Sequence, residues 1–133
     1  MARGKDPETY FAIEIGGEAA GGIGFSLHSD VERVSAEIGY WLGEPFWNLG
    51  IMSEALTFVT GYAIENHALT RVYAVPFAWN VASHRILEHA GYQLESRMRR
   101  SAIKDGEIID QLLYAHVTGD GRQKELRKLL DVQ

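Results

Sequence analysis

Between Ser35 and Val59 the spacing of apolar residues changes from every second position to every third or fourth across one short loop. Ser35 to Leu42 (SAEIGYWL) alternates, with Ala36, Ile38, Tyr40 and Leu42 on one side and Glu37, Gly39 and Trp41 on the other. That is the pattern of a half-buried strand, and Pro45 ends it. From Ile51 to about residue 66 the pattern is helical, and Ile51, Ala55, Phe58, Val59 and Tyr62 define the face expected to be buried. The intervening loop, GEPFWNLG, closes on Gly50. A strand that feeds a helix this way leaves unpaired N–H groups and the positive end of the helix dipole beside the strand end. Such a unit is an anion site made of backbone, with Leu49 to Glu54 as the expected donors. A simple turn glycine explains Gly50 equally well, so this unit alone leaves both readings open.

A length of 133 residues argues for one domain, long enough to bury about two thirds of its unfolded surface in a single core. Hydrophobic residues at 46% and charged residues at 23% describe a globular chain rather than a disordered one. Cysteine is absent, which excludes a disulfide framework, a thiolate nucleophile and any cysteine-ligated metal; it fits a reducing cytoplasm. The opening MARGKDPE carries no apolar signal region. The longest apolar stretch, Leu56 to Ile64, is interrupted by Thr57, Thr60 and Gly61, so no membrane association is expected. A net charge of −5 argues against a nucleic-acid partner. Residues 1–66 hold three bases against ten acids, and residues 67–133 ten bases against eight acids. The acidic half suits a cationic substrate; a solvated surface accounts for it as well.

Elsewhere, Thr9 to Ile15 and Gly22 to Leu27 read as strands joined by a glycine-rich spacer. Arg71 to Val75 suits a central strand. Asn80 is a helix N-cap for Val81 to Ala90, which Gly91 ends. Tyr92 to Ile103 and Ile108 to Val117 form a hairpin around Asp105-Gly106. Residues 118–133 are a tail in which Arg122 to Leu130 reads as a short amphipathic helix. The expected order is β-β-β-α-β-α-β-β plus that C-terminal helix, an α+β fold with helices packed on one mixed sheet. The five histidines show no ligand spacing, since His84 and His89 stand five apart, and no metal is expected. Trp41, Phe46 and Trp47 read as core aromatics at a strand end, with a substrate pocket as the alternative. Period-two spacing puts Arg97 and Arg99 on one solvated face.

The stretch Ala36 to Leu56 (AEIGYWLGEPFWNLGIMSEAL) resembles the acetyl-CoA-binding core of the GCN5-related N-acetyltransferases, in particular the ribosomal-protein N-terminal acetyltransferase branch. Asn80-Val-Ala-Ser83-His-Arg85-Ile-Leu-Glu-His-Ala-Gly91-Tyr92 is similar to the branch's "N-x-x-S-x-R-(V/I)-L-E-K-x-G-F". Asp105-Gly106 and Asp110 to Tyr114 resemble its closing hairpin. The resemblance runs from about Tyr10 to Val117 with the three blocks in order.

It implies a GNAT fold in which the Glu37–Leu42 and Arg71–Val75 strands splay apart and admit the pantetheine arm of acetyl-CoA. The arm would pair with the first strand toward Trp41 and Leu42, and the pyrophosphate would lie over Leu49 to Ser53. In the family pattern "(Q/R)-x-x-G-x-(G/A)", Trp47, Gly50 and Met52 take the marked positions, so Trp47, Asn48, Leu49, Gly50, Ile51, Met52 and Ser53 are the expected cofactor loop. Asn80, Ser83 and Arg85 complete the expected cofactor contacts. Asn48 replaces a customary glycine and Leu49 a frequent lysine. Affinity is therefore expected to fall, although Asn accepts left-handed backbone angles. Glu37 is the expected base, its plain reading being an exposed strand carboxylate. Relatives often place a proton-donating tyrosine where this chain has Leu87, which leaves Ser83 as the expected acid. An adenosine 3′-phosphate contact is the alternative for the Arg97, Arg99, Arg100 and Lys104 cluster. The resemblance also implies a further strand and two helices that open this branch and roof its acceptor pocket; they are expected to be missing before Tyr10, by truncation or with something else completing the site. With that edge unpaired, a homodimer is expected, through the Thr9–Ile15 edge or by exchange of the Tyr92–Val117 hairpin. The function implied is direct acetyl transfer to a primary amine, such as a protein N-terminus. The alternatives are a polyamine or aminoglycoside acceptor, or a catalytically weak acyl-CoA-binding or interaction module.

Overall fold

A computed structural model describes residues 9–118. Its elements are β1 (Tyr10–Ile15), β2 (Glu18–Leu27), β3 (Ser35–Leu42), α1 (Ile51–His67), β4 (Arg71–Ala74), α2 (Val81–His89), β5 (Gln93–Lys104) and β6 (Glu107–Val117), with short 3₁₀ turns at Asp30–Glu32 and Glu44–Phe46. They make one mixed sheet in the order β1-β2-β3-β4-β6-β5, in which only β3 and β4 run parallel. This is the expected α+β architecture. The expected tail helix, Arg122–Leu130, lies outside the described residues.

Both hairpins turn on residues that tolerate positive φ: Gly16 (59°) and Gly17 (84°) between β1 and β2, Asp105 (52°) and Gly106 (80°) between β5 and β6. The first turn is tighter than the glycine-rich spacer implied, because Glu18 to Gly21 belong to β2. Strand glycines there make room for aromatic rings. A Cβ on Gly22 would overlap the Tyr10 hydroxyl and stand 2.8 Å from the Trp41 indole nitrogen.

The core lies between the sheet and the helices, with Ile23, Leu56, Leu69, Val72 and Leu87 at 0–1% exposure. The buried side of α1 is rotated from the one its spacing indicated: Val59 is common to both, and Ala55 and Tyr62 pack at the core's margin. Met52, Leu56, Val59, Thr60 and Ala63 are buried, while Phe58 is 65% exposed. Small and hydroxylated residues carry weak hydrophobic signal, so the pattern gives no sign that Thr60 and Ala63 face inward. Thr60 is buried because its hydroxyl meets that of Tyr92 at 2.5 Å. Phe58 and Tyr62 turn instead toward Phe11 of β1, with ring centroids 6.5 and 5.1 Å from it. Burial pushes the Tyr92 phenol up to about 12.

Candidate active site

Parallel pairing of β3 and β4 stops early. Ser35, Ala36 and Glu37 face Arg71, Val72 and Tyr73, and there the register ends, although β3 continues to Leu42. Past Ala74 the chain follows β6 instead: Leu112 N–H donates to the Pro76 carbonyl at 2.9 Å, and Ala78 N–H to the Asp110 carbonyl at 3.0 Å. The edge of β3 from Ile38 to Leu42 therefore opens onto a fork with no β4 residue opposite it.

The loop entering α1 lies at the end of that edge. Trp47 pins it by donating its indole N–H to the Leu42 carbonyl at 2.7 Å. Asn48 has φ 64° and Gly50 φ 74°, so the asparagine does take the left-handed conformation its position asks for. Gly50 caps α1 with no side-chain bond. The first helical bond runs from Glu54 N–H to the Gly50 carbonyl at 3.2 Å. Ile51, Met52 and Ser53 thus present three N–H groups with no acceptor among the described residues, at the positive end of a 17-residue helix. Glu54, expected among the donors, spends its N–H inside the helix.

Side chains in this loop are otherwise engaged. Met52 is 2% exposed in the core, so only its backbone can meet a ligand. The Ser53 hydroxyl donates to the Ile86 carbonyl at 3.2 Å and ties α1 to α2. Leu49 and Trp47 are exposed. Trp41 is exposed too, on the face away from the helices, so neither tryptophan is the core aromatic that strand-end placement suggested.

Across the fork, Asn80 caps α2 by accepting the Ser83 N–H at 3.1 Å. Ser83 Oγ meets the Tyr40 hydroxyl at 2.5 Å, linking α2 to β3. Burial raises the Tyr40 phenol above its ordinary value, opposed by the bond to Ser83. Leu87 is fully buried. Arg85 is exposed on α2 and has no hydrogen-bond or ion-pair partner among the described residues.

The opposite face of the sheet carries Glu37, exposed at the last paired position of β3, beside Tyr73. Burial raises the Tyr73 phenol first, then the charges of Glu37 and Glu32, against Arg71. Arg71 holds Glu95 at 2.7 Å. Arg97 is ion-paired with Asp110 at 2.8 Å. The pairing of β5 shifts between Met98 and Ala102, which breaks the period expected to align Arg97 with Arg99. A cleft of about 380 Å³ beside this hairpin, lined by Trp79, Arg97 and Arg100 among others, does not reach the fork.

The fold brings the α1 loop, Asn80 and Ser83 to the fork and sets Glu37 at its start on the opposite face. No motif or spacing in the sequence singles out Tyr40, Tyr73 or His28 for the site. Alternation put Tyr40 on the helix side correctly, but only the fold brings its hydroxyl to Ser83. Among the described residues no cluster of three or more His, Asp or Glu could hold a metal ion, and no helix is long and apolar enough to cross a membrane.

A model of the acetyltransferase (GNAT) domain family matches residues 1–93. The chain belongs to that family. It is 35% identical over 100 residues to the uncharacterized N-acetyltransferase YoaA of Bacillus subtilis, covering 75% of this chain and 56% of that protein. It is 30% identical over 101 residues to the [ribosomal protein uS5]-alanine N-acetyltransferase of Escherichia coli, covering 74% of this chain and 52% of the relative. Among solved structures, the ribosomal L7/L12 alpha-N-protein acetyltransferase RimL in complex with coenzyme A superposes with TM-score 0.75 at 27% identity, over 81% of this chain and 60% of RimL. The chain spans about half the length of the curated relatives it matches.

Proposed function

We propose that this domain transfers an acetyl group from acetyl-CoA to a primary amine, a protein N-terminal amine first among the candidates, within a ternary complex in the cytoplasm. One observation carries the reading: in a chain of this family, β3 parts from β4 after Glu37 and Tyr73, beside a helix start whose N–H groups are free. Acetyl-CoA supplies an activated thioester; the amine nitrogen bonds to the acetyl carbon as the C–S bond breaks, one amine proton leaves, and the departing sulfur gains one.

The chain's own groups divide this work. The Ile38–Leu42 edge takes the amides of the pantetheine arm as a neighbouring strand would be taken. Ile51, Met52 and Ser53 hold the pyrophosphate through backbone N–H groups, and the Gly50 α-carbon lies open, with nothing within 4 Å of where a Cβ would stand. The Asn80 amide faces the arm while its carbonyl oxygen caps α2. Arg85, unpaired among the described residues, supplies a cation for phosphate. Glu37 accepts the amine proton directly or through water. Ser83 protonates the sulfur, and the Tyr40 phenol bonded to it is the stronger acid of the two, which joins Tyr40 to that role.

Calorimetry of acetyl-CoA binding, with thiol release measured on peptides bearing free N-terminal alanine or serine, on spermidine and on kanamycin, tests the reading. Saturable binding and release on one of these amines are expected. No binding refutes it, and binding without release above buffer points to a non-catalytic acyl-CoA module. The β1 edge, with Tyr10, Phe11, Ile13 and Ile15 at the margin of the described sheet, supports a homodimer. Light scattering at tens of micromolar checks this, and a stable monomer would refute it.

A further inference from the structure

His28, just past β2, and Tyr73 on β4 lie 45 residues apart in sequence and meet over β3. His28 Nε2 stands 2.8 Å from the Tyr73 hydroxyl oxygen. The rings stack at 5.9 Å with 14° between planes. Both residues are only partly buried, on the open face of the sheet, so the pair adds little to the core. It sits where the fork begins, since Tyr73 is the β4 residue opposite Glu37.

The surroundings keep the phenol protonated. Burial first, then the carboxylates of Glu37 and Glu32, disfavour loss of the Tyr73 proton; Arg71, whose guanidinium lies 5.5 Å from the ring centroid, opposes them but is itself held by Glu95. A neutral phenol can donate or accept, and the imidazole tautomer decides: with the His28 proton on Nδ1, Nε2 accepts and the phenol donates. The lone pairs of the Tyr73 oxygen then remain for a donor arriving on the Glu37 face.

We infer that Tyr73 is a second contact for the acceptor amine, accepting one N–H while Glu37 receives the proton, and that His28 is a positioning residue holding the phenol in that orientation. This rests on the acetyltransferase reading above. An amine attacks through its lone pair, so its N–H bonds must point away from the thioester into acceptors. A single carboxylate leaves the amine free to rotate about one hydrogen bond; a second acceptor fixes that rotation. Two acceptors match the two N–H bonds of a neutral primary amine, so the site selects primary over N-methylated amines.

The test uses the whole chain, acetyl-CoA or coenzyme A, and a hexapeptide with free N-terminal alanine. Tyr73→Phe should raise the peptide KM about tenfold or more, and weaken peptide binding to the coenzyme A-loaded protein equally by calorimetry, at unchanged acetyl-CoA affinity. His28→Leu should reproduce this loss, and His28→Gln, which keeps an acceptor, should recover most of it. The N-methylated hexapeptide should lose to the parent by a similar factor and show no further loss with Tyr73→Phe. In ¹⁵N-histidine-labelled parent protein, the His28 ring should carry its proton on Nδ1, and Tyr73→Phe should shift the Nε2 signal. Equal peptide affinity in parent and Tyr73→Phe, or a proton on Nε2, overturns the inference while the acetyltransferase reading stands. A parent chain that binds no acetyl-CoA overturns both.

Discussion

The loop entering α1 and the open face beside β4 border the same fork, but the first offers backbone and the second offers side chains. Around Gly50 the usable groups are N–H donors, while Met52 is buried, the Ser53 hydroxyl is committed to Ile86 and Leu49 faces solvent. Around Tyr73 the usable groups are Glu37, the phenol and His28, drawn from three separate strands or strand ends. A backbone site depends on φ and on the absence of a Cβ, and tolerates exchange of its side chains. A side-chain site depends on functional groups and tolerates small changes of backbone. Substitutions on the two sides should therefore fail in different measurements.

The largest effect is expected at Glu37. Glu37→Gln keeps the shape and removes the base, and turnover should fall by roughly 10²–10⁴-fold at unchanged cofactor affinity. A loss below about threefold would mean that water suffices as base. Next comes Gly50→Val. With φ 74° and open space around the α-carbon, the β-branched residue strains the turn and obstructs a ligand, weakening coenzyme A binding by about 1–3 kcal/mol in calorimetry. Leu49→Ala is the matching control: one residue away but exposed, it should leave binding within about 0.5 kcal/mol. If Leu49→Ala costs as much as Gly50→Val, the loop is not a backbone site. The smallest change is at Asn80, where both materials meet. Asn80→Ala removes the bond from Ser83 N–H and should lower stability by about 1 kcal/mol in urea unfolding. A drop in coenzyme A affinity beyond that would assign the Asn80 amide to the ligand as well.

Local signals were readable because each element carries its own. Alternation marked β3, Asp105-Gly106 marked the second hairpin, and Asn80 with Gly91 marked both ends of α2. The loop was readable for the same reason, since a glycine and an asparagine at positive φ, next to a helix start, lie within three residues of each other. What failed was orientation. The side of α1 that is buried depends on how the helix lies across the sheet, and the hydroxyl pair of Thr60 and Tyr92 lets a polar residue enter the core.

The order of elements, the left-handed turn before α1 and the position of Glu37 are all written in the sequence, because they follow from local period, local turn chemistry and short spacing. The meetings of Tyr40 with Ser83 and of Tyr73 with His28 are not. Those contacts join residues more than forty positions apart. Their distances are set by sheet register, by the early end of β3–β4 pairing and by the packing of α2, and no local pattern encodes any of these.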